Sequence, residues 1–387
     1  MADILIRGGT VVTADSMGPT DVLIRDGKIA QKGTGLETDG SIFDATGQWV
    51  MPGGIDTHTH LDHPIGRLGV RTADDFHVGT IAGACGGVTT IIDFSLQDRG
   101  ESLLKARDRR LGEIEPNSII DYSFHTIVTD VNPNSIKEVE SLVESGFPSF
   151  KVYMTYGDKK VGDGDLLLLL EELAAKGGLA YLHCENDCAV THLIERHISR
   201  GETGPSFHAS SRPVLVEAEA TNRAIMLAEI AGAPICIAHV TSKLVAGHLE
   251  EARGRGQPVV GETCPQYLVL NDAVYDPEGG FEVAKFVCSP PIRDIDQVEA
   301  LWSTVEDGLL QQVSSDHAPF HYEDQKTKGR DNFTRIPNGL PGIETRLPLM
   351  FTYGVKAGRI SPSRFVELTS TNPARIFGMY PNKGSLK

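Results

Sequence analysis

From Met51 onward, short apolar runs rich in β-branched residues alternate with stretches that are apolar at every third and fourth position, the pattern of repeated strand–helix units. Eight runs read as strands: 53–60 (GGIDTHTH), 88–94 (VTTIIDF), 120–128 (IDYSFHTIV), 149–154 (SFKVYM), 179–185 (LAYLHCE), 235–241 (ICIAHVT), 258–264 (PVVGETC) and 312–318 (QVSSDHA). Between them, SIKEVESLVESG, DLLLLLEELAAKGG and RPVLVEAEATNRAIMLAEIAG carry helical periodicity. Such a count predicts an α/β fold, a (β/α)8 barrel of the TIM type. Residues 1–50 depart from this pattern. There ILIRGGTVV, DVLIRDGKIAQKG and the start of SIFDATGQWVMPG alternate apolar and polar positions between Gly and Asp turns, which predicts a small β module. The expected organisation is therefore a β module over 1–50 and a barrel over 51–387.

Composition narrows the partners. Of the 387 residues 40% are hydrophobic and 23% charged, an ordinary globular balance, but the formal net charge of −16 argues against nucleic acid or an anionic membrane, whose phosphates would be repelled. The opening MADILIRGG lacks the basic and then apolar run of a signal peptide, and no later apolar stretch is long enough to span a bilayer. A cytoplasmic location is expected. Six cysteines (Cys85, Cys184, Cys188, Cys236, Cys264 and Cys288) lack paired CxxC spacing and read as buried free thiols. The sequon at Asn332 carries no weight in a cytoplasmic chain.

Barrels of this type place their chemistry at the C-terminal ends of the strands. His58 and His60, Lys151, His183, His239 and Asp316 all stand at such ends. Imidazoles and carboxylates are natural ligands of divalent cations, and they are costly to bury unless paired or ligated, so their convergence predicts a metal site. Lysine is the odd member, since an ammonium cannot bind a cation. Asp56 shares the face of His58 and His60 by strand alternation, which suits support of those ligands by hydrogen bonding. His63 lies past the strand and reads as a solvated or rim residue, while His77, His125 and His248 read as solvated or hydrogen-bonded.

With these residues the chain resembles the amidohydrolase superfamily, and within it the cyclic amidohydrolases called dihydropyrimidinases and D-hydantoinases. The motifs are MPGGIDTHTH, SFKVYMTY, HCEN, AHVTS, SSDHAPF and IPNGLPGIETRLPLM, and the resemblance runs from Ile4 to the last residues. It implies an enzyme that hydrolyses the cyclic amide of dihydropyrimidines and 5-monosubstituted hydantoins to N-carbamoyl amino acids. It further implies two zinc ions, with His58, His60 and Asp316 on one, His183 and His239 on the other, and Lys151, carbamylated by carbon dioxide, bridging both. A carbamate turns the odd lysine into a carboxylate-like ligand. Asp316 would also be the proton carrier, Tyr156 the donor to the developing oxyanion, and Tyr156, Ser289 and Asn338 the residues that hold a small cyclic imide. A homo-oligomer, tetramer or dimer, is implied as well.

Relatives continue past the motif GMYPNKGSLK into strands that complete the small module as a β-sandwich, so those C-terminal strands are expected to be missing here. Allantoinase, or another cyclic amidohydrolase, shares the same ligand set and is the alternative activity. Dihydroorotase is disfavoured because Asp62 stands where an arginine would meet an anionic substrate. From another class, dihydropyrimidinase-like scaffolds without catalysis keep the fold and lose ligands, and here every ligand is present.

Overall fold

The computed structural model describes residues 3–387. Contacts group the chain into two compact units, one of Asp56–Arg346 and one of the residues up to Ile55 together with Leu347–Lys387. The segment 347–387, read from sequence as part of the barrel, thus groups by contact with the N-terminal strands.

Among the described residues, seven strands precede residue 51: β1 (Ile4–Arg7), β2 (Thr10–Val12), β3 (Met17–Pro19), β4 (Asp21–Arg25), β5 (Lys28–Gly33), β6 (Ser41–Asp44) and β7 (Trp49–Val50). They make two sheets, ordered β5-β4-β1-β6 and β3-β2-β7. Leu5, Val12 and Val22 are buried, and Trp49 meets Phe351 edge to face at 5.6 Å. Ile42 and Phe43, on the edge strand β6, are exposed.

The eight expected strands are β8 (Gly54–Asp56), then β11 (Val88–Leu96), β12 (Asp121–Ile127), β13 (Ser149–Tyr153), β14 (Leu179–His183), β15 (Ile235–Ile237), β16 (Val259–Thr263) and β17 (Gln312–Val313). A short antiparallel hairpin, β9 (Pro64–Ile65) and β10 (Val70–Arg71), lies in the loop after the first of them. The sheet order is β17-β16-β15-β14-β13-β12-β11-β8, parallel from β11 to β17. An isolated parallel bridge between Thr59 and His317 joins the two ends of the sheet, with His60 N–H donating to the His317 carbonyl at 2.8 Å and His317 N–H donating to the His58 carbonyl at 3.2 Å. This is the seam of the barrel.

Helices alternate with the strands, several of them started by a side-chain cap. Asn132 caps Pro133–Glu144 through a capping box with Ser135, and Asp75 accepts from Val78 N–H at the start of Phe76–Cys85. Inside the barrel, Phe94, Ile127, Tyr153, Tyr181, Cys236 and Ala238 form a buried cluster. Four of the cysteines are buried, as expected, but Cys85 and Cys188 are exposed.

Three strands are less than half as long as the sequence suggests. The runs 53–60, 235–241 and 312–318 keep ladder pairing only over Gly54–Asp56, Ile235–Ile237 and Gln312–Val313. Beyond those points the polar residues turn away from strand geometry; His239 has φ +37° and Asp316 φ +49°, both left-handed.

Candidate metal centre

A cavity of about 800 Å³, counted with its open mouth, is lined by His58, His60, Lys151, His183, His239 and Asp316. The sequence placed these six at strand ends. The fold brings them to one wall.

His58 and His60 face Asp316, whose Oδ1 lies 3.2 Å from His58 Nε2 and 3.4 Å from His60 Nε2. One ligand atom from each of the three lies within 4.8 Å of the others, the spacing of donors around a shared cation. Burial lowers the pKa of all four histidines, those of His58 and His239 well below the ordinary value, so each imidazole is neutral and able to ligate. Their rings interlock: His58 and His60 at 5.2 Å between centroids, His58 and His239 at 5.5 Å, and His183 and His239 at 4.5 Å.

Lys151 is wholly buried on β13, opposite Tyr181 on β14. Its Nζ makes no hydrogen bond among the described residues and stands 4.4 Å from the centre of the Tyr181 ring. Burial holds the amine well below the usual lysine pKa, with Glu262 and Asp316 opposing that shift. Buried Nδ1 atoms of His60 and His239 also lack partners among the described residues. A buried amine and two ring nitrogens without partners, beside a His–His–Asp set, fit a centre that binds cations.

Two buried glutamates orient the histidines, and sequence reading passed over both. His58 Nδ1 is 2.9 Å from Glu262 Oε1 and 2.7 Å from the Tyr181 hydroxyl, which also donates to Glu262. Burial raises the Glu262 carboxyl, and the hydrogen bond from Tyr181 and the charge of Lys151 only partly offset it. His183 Nε2 is 2.8 Å from Glu185 Oε2, which Arg212 clamps at 2.5 Å. Burial would raise Glu185, but Arg212 and His183 outweigh it and carry the group down to about 2. Held by a carboxylate, Nε2 of His183 keeps its hydrogen and leaves the Nδ1 lone pair for a ligand. A charged residue within the apolar runs of strands five and seven was the signal available in sequence.

Asp56 is fully buried, as a supporting residue should be. Its Oδ1 accepts from the backbone N–H groups of Ser315 at 3.0 Å and His58 at 3.3 Å, and its Oδ2 lies 3.5 Å from Nε of the buried Arg346. One carboxylate therefore joins the two chain segments that bear His58 and Asp316.

The remaining sequence candidates gather on the same cavity. Tyr156, Ser289 and Asn338 line it, with Asn338 Nδ2 donating to Ser289 Oγ at 3.0 Å. Burial raises the Tyr156 phenol, with Arg212 opposing, so the hydroxyl keeps its proton and can donate. Gly339 has φ +151°, and a Cβ there would overlap the Ala318 carbonyl, so only glycine lets the Asn338 loop lie so close. His63, expected to be solvated or at the rim, is buried and lines the cavity, its Nε2 lying 3.2 Å from Lys159 Nζ. One expectation changes. Asp62 is tied to Arg71 at 2.5 Å and does not line the cavity, so its charge gives no ground for excluding anionic substrates. His125 is buried and hydrogen-bonded to the Thr57 carbonyl at 2.8 Å.

The Amidohydrolase family profile matches residues 49–387. A D-hydantoinase of Streptomyces coelicolor is 46% identical over 390 residues, covering 99% of this chain and 82% of that protein. A D-hydantoinase of Rhizobium radiobacter is likewise 46% identical, over 99% of this chain and 83% of its own. Among solved structures, the dihydropyrimidinase from Brevibacillus agri superposes with a TM-score of 0.97 at 43% identity, covering 100% of this chain and 84% of that one.

Proposed function

The chain belongs to the amidohydrolase family, whose chemistry depends on two metal ions, and from that premise we propose how its residues act. It is a cyclic amidohydrolase of the hydantoinase and dihydropyrimidinase kind, opening the cyclic amide bond of hydantoins and dihydropyrimidines. The observation that carries the assignment of roles is the His58–His60–Asp316 cluster beside a buried, unpartnered Lys151.

In this proposal His58, His60 and Asp316 would hold one ion and His183 and His239 the other, with Lys151, as its carbamate, completing the ligand set. The ions would be zinc. When bound, they supply Lewis acidity and an activated water at neutral pH. Lys151 is suited to carbamylation because burial favours its neutral amine, and a neutral amine adds to carbon dioxide with loss of one proton. Asp316 takes the proton of the attacking water and delivers it to the leaving ring nitrogen. Tyr156 donates its hydroxyl hydrogen to the carbonyl oxygen as negative charge grows there. Ser289 and Asn338, already bonded to each other, hold the imide edge of the ring.

The enzyme is further proposed to work in the cytoplasm as a homo-oligomer. Among the described residues no helix is long and apolar enough to cross a membrane, and Leu168, Leu215, Met226 and Ile230 are exposed on the helices Asp163–Lys176 and Val214–Ala231, where a second copy could cover them.

Elemental analysis together with turnover of dihydrouracil, hydantoin, phenylhydantoin, allantoin and dihydroorotate tests these assignments. About two divalent ions per chain and preferred opening of hydantoin or dihydrouracil are expected. Full activity in metal-free protein would overturn the metal centre, and a preference for allantoin would move the substrate assignment.

A further inference from the structure

Next to His60, whose ring lies 4.9 Å from that of His63, the cavity has a wall that holds none of the proposed metal ligands. It carries His63, Ile65, Arg67, Asp158 and Lys159. Lys159 is placed with little freedom. Its backbone N–H and that of Lys160 both donate to the Tyr156 carbonyl, at 2.7 and 2.8 Å, and Val161 N–H donates to Tyr153 at 3.0 Å, closing a tight turn in which Tyr156 takes φ +67°. Tyr156 and Lys159 therefore reach one cavity from one turn. Lys159 Nζ rests 3.2 Å from His63 Nε2 and 5.5 Å from the centre of the Tyr153 ring.

The two lysines of this turn differ in partners. Lys160 is paired with Asp187 at 2.8 Å. Lys159 has no carboxylate at ion-pair distance among the described residues, although burial costs its charged form enough to lower its pKa to about 8, with the neighbouring Asp158 opposing. A partly buried ammonium facing a cavity, with a histidine ring as its hydrogen-bonding neighbour, still lacks an anion. Arg67 adds a second cation at the exposed rim, its Nη1 donating to the Thr334 carbonyl at 3.0 Å, while Asp158 is the one carboxylate on this wall. Two cations against one carboxylate is a local excess of positive charge in a chain whose net charge is −16. Asp62, the nearby carboxylate that would oppose it, is bound to Arg71.

We propose that this wall receives the ring substituent and selects substrates whose side chain ends in a carboxylate, with Lys159 as the specificity-determining residue. The inference rests on the cyclic-amidohydrolase assignment above and names the substrate class for the same site. The substrates are then hydantoins or dihydropyrimidines bearing a short acidic arm. A neutral arm of the same length would leave the Lys159 ammonium desolvated and unpaired, which disfavours it.

The test compares kcat/KM for hydantoin-5-propionic acid with that for its carboxamide, on metal-loaded enzyme, in the wild type and in Lys159→Met, Lys159→Arg and Lys160→Met. The wild type should prefer the acid by about 10- to 100-fold, the scale of one charge-assisted hydrogen bond. Lys159→Met should bring the ratio close to one, chiefly through KM for the acid; Lys159→Arg should restore most of it and Lys160→Met should leave it as in the wild type. Equal use of acid and amide by the wild type, or a ratio unmoved in Lys159→Met, overturns the inference while the cyclic-amidohydrolase assignment stands. Failure to open any ring, hydantoin included, overturns that assignment and this one with it.

Discussion

Glu262 and Glu185 are both wholly buried, and each holds one histidine of the metal centre at nearly the same distance, 2.9 Å for His58 and 2.8 Å for His183. Their acidities nevertheless move in opposite directions. Glu262 faces a phenol, a histidine and a lysine amine that is itself held toward neutrality, and burial prevails, so the carboxyl is raised. Glu185 faces the guanidinium of Arg212, which stays charged in any protein environment, and it is carried down to about 2. Burial is common to both. What differs is a fixed cation beside the carboxylate: His183 is held through a side-chain ion pair, and His58 through a carboxylate whose neighbours are a phenol and an amine.

Lys151 is proposed to serve both halves of the metal centre, and its removal should have the largest effect. Lys151→Ala is expected to lose binuclear metal and to drop turnover to background, with partial recovery in acetate or propionate, which would stand in for the proposed carbamate. Full activity in the alanine variant would show that neither half needs the lysine. Next in size, Asp316→Asn should keep most of the metal yet lose about 10²- to 10⁴-fold in kcat, because an amide cannot carry a proton. Near wild-type turnover would assign the proton to another group. Tyr156→Phe should cost about 10²- to 10³-fold, mostly in kcat and little in KM. A change confined to KM would make Tyr156 a residue that binds the ground state.

Glu185→Gln and Glu262→Gln address the comparison directly. Each should weaken metal binding by about 10- to 100-fold, but at different ions, so competitive chelation should release one ion early in each variant and never the same one. Release of the same ion from both would mean that the two glutamates do not serve separate halves.

Lys326 separates burial from partnership, since it is buried and, among the described residues, donates to the carbonyls of Val287 at 3.0 Å and Gly339 at 2.9 Å. Burial lowers it to about 7 from an ordinary 10.5. Between those values the unfolded chain binds the proton and the folded chain does not, so stability from this residue rises with pH across that window, by at most about 1.4 kcal/mol per unit. Urea midpoints measured at pH 7.5 and 9.5 should show that rise in the wild type and a smaller one in Lys326→Met. Identical slopes would mean that Lys326 keeps its proton in the fold.

Strand identity was legible in the sequence because buried parallel strands are continuous apolar runs, and all eight lie where those runs lie. Strand ends were not, because the ladder stops where apolar residues stop, and the polar residues that follow take conformations no periodicity announces. Convergence of His58, His60, Lys151, His183, His239 and Asp316 followed from barrel geometry once the strands were known. Their supports followed only in part: strand alternation singled out Asp56, but its partner Arg346 and the Arg212–Glu185 pair join residues far apart in sequence. Grouping of 347–387 with the N-terminal strands was hidden for the same reason.

Among the described residues, five non-glycine positions adopt positive φ, and three of them, Tyr156, His239 and Asp316, are residues of the cavity. For a side chain with a Cβ such backbone costs on the order of 1–3 kcal/mol, which glycine would relieve. Directed evolution for heat resistance alone should therefore drift toward glycine at these three positions and deliver sturdy proteins that turn over nothing. A screen on this scaffold has to reward catalysis at every round, because the substitutions that most ease the chain are those that erase its chemistry.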